Sequence, residues 1–229
     1  MTQKNESAVE KVISSIRDGI IFKKYSEEEI LSENKLSQEY GVSRGSVREA
    51  LSKIESEGLI ETQSNGRRKV IGISEKTIRD AYQARIMIEQ QAGKILIDKN
   101  HLFDYEPLVN ALGKFYTLQY SSKDTIYDDR AVINTNFHRT IVEIADNRIL
   151  LQCWEVVQPL LHALAKFNYI ALGEETDDNV LIDTHSRLVD LIVKKDLALI
   201  DEIYKHTKTA IDESIDSYQR VVDGTLTYK

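Results

Sequence analysis

Gly41-Val42-Ser43-Arg44-Gly45-Ser46-Val47-Arg48-Glu49-Ala50-Leu51 is the stretch whose reading decides the fold. Gly41 suits the left-handed residue that closes one helix, and Ser43 is the kind of residue that caps the next. The preceding helix is predicted over 33–40, with Ser32 as its cap and Leu36 as its apolar anchor. The following helix runs from Ser43 to about Glu57. Its apolar stripe is Val47, Ala50, Leu51 and Ile54, and Gly58 ends it. Two helices joined by so tight a turn form a helix-turn-helix. Arg44 and Arg48 stand four residues apart, so they share a face off the apolar stripe.

Upstream, Val9, Val12, Ile13, Ile16 and Ile20 recur at helical spacing and predict a helix over about 7–22. Downstream, Leu59-Ile60-Glu61-Thr62 and Arg67-Arg68-Lys69-Val70-Ile71 flank Ser64-Asn65-Gly66, a strong hairpin signal. A hairpin directly after a helix-turn-helix is a wing, and this one carries three consecutive cations at its tip. The second helix of the pair is the one that enters a DNA major groove. An Arg fork bonds guanine O6 and N7 together. Gly45 leaves room for close approach, Ser46 reaches a phosphate or base edge, and the helix N-terminus at Ser43 favours a phosphate. Lys35 and the wing, from Gly66 and Arg67 onward, supply phosphate contacts. The candidate DNA-contacting set is Lys35, Ser43, Arg44, Gly45, Ser46, Arg48, Gly66 and Arg67. The plainer alternative is a winged helix that binds protein and carries its arginines as ordinary surface cations.

Past Ser74 the pattern changes to nearly continuous amphipathic helix. Six helices are predicted, over roughly 75–98, 102–121, 124–146, 148–171, 177–194 and 196–222. Asn100-His101, Ser121 to Asp124, Asp146-Asn147, Gly173 and Lys195-Asp196 mark the breaks, and Pro159 should kink the fourth helix. Short connections imply antiparallel neighbours. The fold class is therefore mainly α: an N-terminal winged helix-turn-helix, residues 1–74, and a C-terminal antiparallel all-α bundle, residues 75–229.

The 229 residues allow one large or two small domains. Hydrophobic residues make up 41%, enough for a core. The net charge of −7 shows no global sign of nucleic-acid binding, but it is uneven. Residues 1–74 hold 12 basic and 12 acidic side chains, and the remaining 18 and 25 lie beyond them. The acidic excess belongs entirely to the bundle and hides a neutral first domain with a basic face. No window approaches the ~20 apolar residues of a membrane span. Met1 to Glu10 is polar, so no secretory signal is expected. The single Cys153 excludes an internal disulfide framework or a CxxC zinc site. A reducing cytoplasm and no membrane partner are expected.

Polar residues at core positions of the bundle mark a candidate site. Arg85 stands in the stripe of Ile78, Ala81, Ile88, Ala92 and Leu96. A buried Arg needs an anion. Glu89, one turn on, offers a structural ion pair; a ligand carboxylate is the other candidate. His185 stands among Leu181, Ile182, Leu188, Val189 and Ile192. Asn134 and His138 are four apart on the third bundle helix, and His206 flanks the apolar face of the last. Such an i, i+4 pair with one His from each of two other helices can converge on one ion. Satisfied core histidines are the alternative.

The segment from Gly41 to Leu51, with Glu57-Gly58-Leu59-Ile60 after it, resembles the DNA-reading segment of GntR-family bacterial transcription regulators. The usual family wording is near GVSRTPVREAL, then EGL; Gly45 and Ser46 replace the Thr-Pro pair. In some relatives an Arg on the first helix of the pair also touches bases, and Asn34 holds that position here. The resemblance implies a homodimer on a short, two-fold symmetric double-stranded operator. Phe137-His138, Ala145-Asp146-Asn147, Thr184-His185, Lys195-Asp196-Leu197 and His206 resemble the FCD-type effector domain of the FadR subfamily. Many such domains hold a divalent metal through one Asp and three His. The D-x-x-F-H pattern reads Asn134-Thr135-Asn136-Phe137-His138 here, so the implied ligands are Asn134, His138, His185 and His206. With Asn for Asp the site is neutral before an ion enters. Zn, with Ni or Mn as alternatives, suits three imidazoles better than Mg.

The resemblance implies a repressor or activator, not an enzyme, controlled by a small organic or sugar acid whose carboxylate the metal and Arg85 would share. The acyl-CoA-binding branch lacks the His set. Two other readings stand beside it. One is the same regulator with a metal-free effector or dimerisation domain. The other is a metal-dependent hydrolase, for which Glu143 and Asp178 are the nearby carboxylates but neither is evidently placed as a base.

Overall fold

The computed structural model describes residues 8–98, 102–123 and 125–226. The expected start of the first helix at residue 7, the break at Asn100-His101, and Asp124 lie outside the described residues. The chain divides into two compact units, one of residues up to Ser74 together with those from Val221 on, the other Glu75–Arg220.

In the first unit, α1 (Ala8–Ile21) buries Val12, Ile16 and Ile20 and packs against α3 (Arg44–Ser56), which also carries α2 (Glu33–Tyr40). Val47, Leu51 and Ile54 of α3 are fully buried, each contributing about 1.5–3 kcal/mol of transfer free energy. Both expected caps form. Ser32 Oγ accepts from the Lys35 N–H at 3.5 Å, and Ser43 Oγ accepts from the Ser46 N–H at 3.1 Å. Gly41 turns the chain between the helices at φ 65°. Arg17 of α1 clamps the Glu57 carboxylate after α3 with Nε and Nη2, at 2.8 and 2.7 Å.

The wing is a three-stranded antiparallel sheet rather than the expected hairpin alone. β1 (Ile30–Leu31) joins β2 (Ile60–Thr62) and β3 (Arg68–Val70) in the order β1-β3-β2. Two residues are too few to show a strand period, so β1 left no trace in the hydropathy pattern. Ile60 pairs with Val70 and Thr62 with Arg68. Ser64-Asn65-Gly66 closes the hairpin, with Gly66 at φ 77°. The three-residue loop ending in a left-handed glycine is a common hairpin geometry.

The second unit contains α4 (Glu75–Leu96), α5 (Glu106–Phe115), α6 (Ile126–Ile144), α7 (Arg148–Leu172), α8 (Asp178–Val193) and all but the last two residues of α9 (Leu199–Val222). α6 lies centrally, against α4, α5 and α7, and α8 packs on α5. Asp146 and Lys195 adopt left-handed backbone at φ 49° and 53°, at two of the expected breaks, and Asn147 caps α7. The helix expected over 102–121 is shorter. Pro107, whose fixed φ suits a first turn, starts α5 late, and the Asp104 carboxylate accepts the Glu106 N–H at 2.9 Å. A 3-10 turn, Leu118–Tyr120, replaces the last part. Pro159 lies inside α7, which continues to Leu172. Gly93 lets α9 close on α4: a Cβ there would lie 3.1 Å from Ile203 and 3.2 Å from Leu199. Among the described residues no helix is long and apolar enough to cross a membrane.

Candidate functional site

Two sites are built on this frame. On the first unit, the capped start of α3 presents Ser43, Arg44, Gly45 and Arg48 as exposed residues, with Ser46 half-buried behind them. Ser46 Oγ lies 2.9 Å from Ser43 Oγ, so the two hydroxyls share a hydrogen bond at the helix start. Lys35 is exposed on α2. Arg48 is the most constrained of the set. Its Nε and Nη2 donate to Glu33 Oε1 and Oε2 at 3.1 and 2.9 Å. This uses one edge of the guanidinium. The end-on edge, one N–H from each Nη, stays available for a guanine. Arg48's hydrogen bonds hold the Glu33 carboxyl below its ordinary range, and Arg44 and Arg68 reinforce this at longer distance.

The three wing cations are not equivalent: two of them pair with carboxylates of the same unit. Arg68 donates to Glu55 at 2.8 Å and to Ser52 at 3.2 Å. Lys69 pairs with Glu61 and Glu28 at 2.8 and 3.1 Å. Alternation along β3 turns these side chains onto neighbouring elements of the unit. Arg67, beside Gly66 at the exposed tip, has no ion-pair partner among the described residues.

In the bundle, His138 (α6), His185 (α8) and His206 (α9) converge. Their ligand atoms all lie within 4.8 Å of one another. His138 Nε2 is 3.3 Å from His185 Nε2 and 3.2 Å from His206 Nε2. Ligands at the usual Zn–N distance in a tetrahedron are separated by about 3.3 Å. The hydrogen bonds behind the rings settle what those nitrogens offer. His138 Nδ1–H donates to Glu89 Oε2 at 3.1 Å, and His185 Nδ1–H donates to the Leu181 carbonyl at 2.6 Å. Both rings therefore point an Nε2 lone pair at each other, an arrangement that a cation resolves. Burial keeps all three imidazoles uncharged: it pushes His138 and His206 well below the ordinary His value and His185 to about 4, and Arg85 nearby adds to the effect. Phe115 and Phe137 pack on His185, with ring centroids 4.3 and 4.8 Å from that of the imidazole. The donor set fits a borderline-soft divalent ion.

Asn134 stands beside the cluster, but with its amide nitrogen forward. Nδ2 donates to Tyr169 Oη at 3.0 Å and lies 3.4 Å from His185 Nε2. A half-turn of the amide exchanges Oδ1 for Nδ2 and offers a lone pair instead. Arg85 is 5% exposed and makes the ion pair expected with Glu89. Nε donates to Glu89 Oε1 at 2.6 Å, while Nη2 finds no partner among the described residues and the residue lines a cavity of about 250 Å³ next to the histidines. Glu89 thus links Arg85 to His138. Its i+4 spacing was the signal for the first contact; only the packing of α4 on α6 reveals the second.

Asn168 and Tyr169 on α7 and Glu213 on α9 also line the cavity and were missed. Asn168 between Phe167 and the Tyr169-Ile170-Ala171 stretch was the available sign. Glu143 is held by Arg139 at 2.6 Å and Asp178 by Arg130 at 2.8 Å. Neither lines the cavity.

Comparison with known proteins identifies both parts of the chain. The family model described as bacterial regulatory proteins, gntR family, matches residues 8–70, and the FCD domain model matches residues 80–208. The gluconate operon transcriptional repressor of Bacillus subtilis is 32% identical over 174 residues, which cover 75% of this chain and 70% of that protein. An HTH-type transcriptional regulator of the same organism, YdhC, is 26% identical over 194 residues, 81% and 84% of the two chains. A GntR-family regulator from Pseudomonas syringae pv. tomato shares the fold at a TM-score of 0.58, with 22% identity and coverage of 96% and 89%.

Proposed function

This chain belongs to the gntR family of bacterial regulatory proteins and carries an FCD domain, and from that premise we propose that it is a metabolite-responsive repressor whose operator affinity is set by a small carboxylate held at a divalent ion in its bundle. DNA-binding regulation is what the family does, and its relatives are regulators rather than enzymes. The observation that carries the finer reading is the convergence of three neutral imidazoles beside an Arg85 Nη2 without a partner among the described residues.

Arg44 and Arg48 read base edges in the major groove. Lys35, Ser43, Gly45, Ser46, Gly66 and Arg67 approach or contact the phosphates and set the register. His138, His185 and His206 hold the ion, Zn before Ni or Mn, and Asn134 completes the set through Oδ1. A bound divalent ion supplies a Lewis-acidic position for the carboxylate. Arg85 orients that carboxylate from the other side, and Glu89 fixes both Arg85 and the His138 tautomer. The FCD match and the His set support a place in the FadR subfamily, and likeness to a gluconate operon repressor supports a sugar acid among the small acids. The working unit is a homodimer on a two-fold symmetric operator in the cytoplasm. By linkage, the effector changes DNA affinity only by its differential affinity for the two states of the dimer.

The test has two parts. Elemental analysis of untagged, chelator-free protein is expected to show about one ion per chain. Protein that arrives metal-free and takes up no added Zn²⁺ overturns the metal reading. Titration of operator fragments at several salt concentrations is expected to show sequence preference that a small acid alters; uniform binding to all sequences overturns the regulator's assigned reading face.

A further inference from the structure

Two deeply buried side chains line the bundle cavity with atoms that have no partner among the described residues. One is a donor, Arg85 Nη2. The other is an acceptor, Asn168 Oδ1. The two residues are 5% and 4% exposed. Asn168 is held in place by a short chain of hydrogen bonds. Its Nδ2 donates to Ser214 Oγ at 2.7 Å, and the Ser214 hydroxyl donates to Tyr82 Oη at 3.1 Å. The acceptor edge of the amide is what remains. Tyr82 stands between the two unpaired groups: Arg85 Cζ lies 6.0 Å from its ring centroid, and its hydroxyl takes the Ser214 contact. Glu213, next to Ser214 on α9, brings a carboxylate to the same cavity and pairs with no cation among the described residues. The donor end of the cavity is already assigned to a carboxylate. The acceptor end is not.

We propose that Asn168 and Glu213 form a subsite that reads hydroxyl groups of the effector, so that the effector is a polyhydroxylated monocarboxylic acid and not a di- or tricarboxylate. This rests on the carboxylate-effector reading above. Beside Asn168 and Glu213 a second carboxylate would meet a like charge and a lone pair; Lys205, the lysine of the cavity wall, is exposed and stands about two helical turns before Glu213 on α9. An alkyl chain would bury Oδ1 with nothing to accept, the situation a site built for hydroxyls discriminates against most strongly. An ammonium group only donates, whereas the hydroxyls of Tyr82, Thr184 and Thr209 on the cavity wall both give and take, as sugar hydroxyls do. The volume of about 250 Å³ is at the small end for ligand sites, suited to one such molecule.

The test is calorimetric titration of the zinc-loaded full chain with D-gluconate, D-galactonate, citrate, hexanoate and 6-aminohexanoate. At least one of the two sugar acids is expected to bind about tenfold or more tighter than the other three. Asn168→Leu is expected to weaken that sugar acid about ten- to a hundredfold and to tighten hexanoate, whose chain no longer buries an unmet acceptor. Glu213→Gln, at a half-buried position that tolerates change, is expected to narrow the gap between sugar acid and citrate. Citrate, hexanoate or 6-aminohexanoate binding as tightly as the sugar acids overturns the subsite while leaving the carboxylate reading intact. Sugar-acid affinity unchanged in both variants does the same. Failure of all five acids to bind zinc-loaded protein overturns the carboxylate reading and the subsite with it.

Discussion

Replacing Glu89 by Gln tests the link between the ion site and the rest of the bundle. Glu89 is wholly buried and serves two donors at once, Arg85 Nε at 2.6 Å and His138 Nδ1 at 3.1 Å. Gln keeps the volume but has one acceptor oxygen and one amide nitrogen. Whichever way it turns, an N–H group faces Arg85 or His138, and the buried guanidinium loses its counter-charge. Breaking a buried ion pair from one side costs about 3–5 kcal/mol. Loss of the carboxylate behind a metal-binding imidazole costs about 10- to 100-fold in metal affinity, or about 1.4–2.7 kcal/mol. Trp154 is the single tryptophan, is buried, and lies in α7, so its fluorescence reports the bundle alone. Urea unfolding of chelated protein followed at Trp154 should show a midpoint lowered by more than 1 M, taking a slope of about 2 kcal/mol/M. Competition with a chromophoric chelator should show the weakened zinc affinity. An unchanged midpoint together with unchanged zinc affinity would refute the reasoning, since it would mean that Glu89 carries no charge-dependent interaction of consequence.

Three further outcomes follow from the same coordinates. Arg44→Ala and Arg48→Ala should each remove about 1–3 kcal/mol of discrimination between operator and mutated operator, whereas Arg67→Ala should weaken all DNA about equally and lower the salt slope by about 1; fluorescence anisotropy at varied salt separates these patterns, and an Arg44→Ala Arg48→Ala double variant with undiminished preference would disprove the assigned face. Ser43→Ala removes the side chain that accepts the Ser46 N–H and should destabilise the winged-helix unit by about 1 kcal/mol in calorimetry; no change would show that the cap contributes nothing. In metal-free protein the imidazole of His185 is held at about 4, below its unfolded value, chiefly by burial. A depressed His favours the fold above the unfolded value near 6.5 and withdraws that stability as pH falls, because the unfolded chain takes the proton first. Unfolding in chelator between pH 8 and 4 should therefore show stability falling from about pH 6.5 downward, and a stability that holds level across that range would contradict the buried, neutral assignment.

The helix-turn-helix was legible because every device that makes it is local. A glycine in the left-handed region, two serine caps and an i, i+3, i+4 stripe act within a few residues, and the turn they specify forms wherever they occur. The candidate metal histidines were legible in part: His185 stands within an apolar helical stripe and His138 and His206 flank theirs, but spacing left satisfied core histidines as an alternative, and it was the resemblance to FCD-type domains that joined the three. β1 was not legible, because two residues carry no period, and the late start of α5 was missed because the helical pattern was read through Pro107. The cationic run at the wing read as one patch, but pairing to Glu55, Glu61 and Glu28 leaves only Arg67 of the three without an ion-pair partner among the described residues.

By itself, the sequence determined the two-part architecture, the reading helix and the residue types that gather at the site, since propensity, capping and helical period are properties of neighbouring residues. Only the tertiary structure decided how those residues are employed. Arg85 is divided between Glu89 and the cavity, Glu89 also sets the tautomer of His138, and Asn168 is oriented through Ser214 and Tyr82. These relations join positions on four different helices, as far as 132 residues apart in the case of Tyr82 and Ser214. A hydrogen bond depends on distance and direction in space, and no periodicity along the chain encodes which lone pair or N–H is left over once the helices have packed.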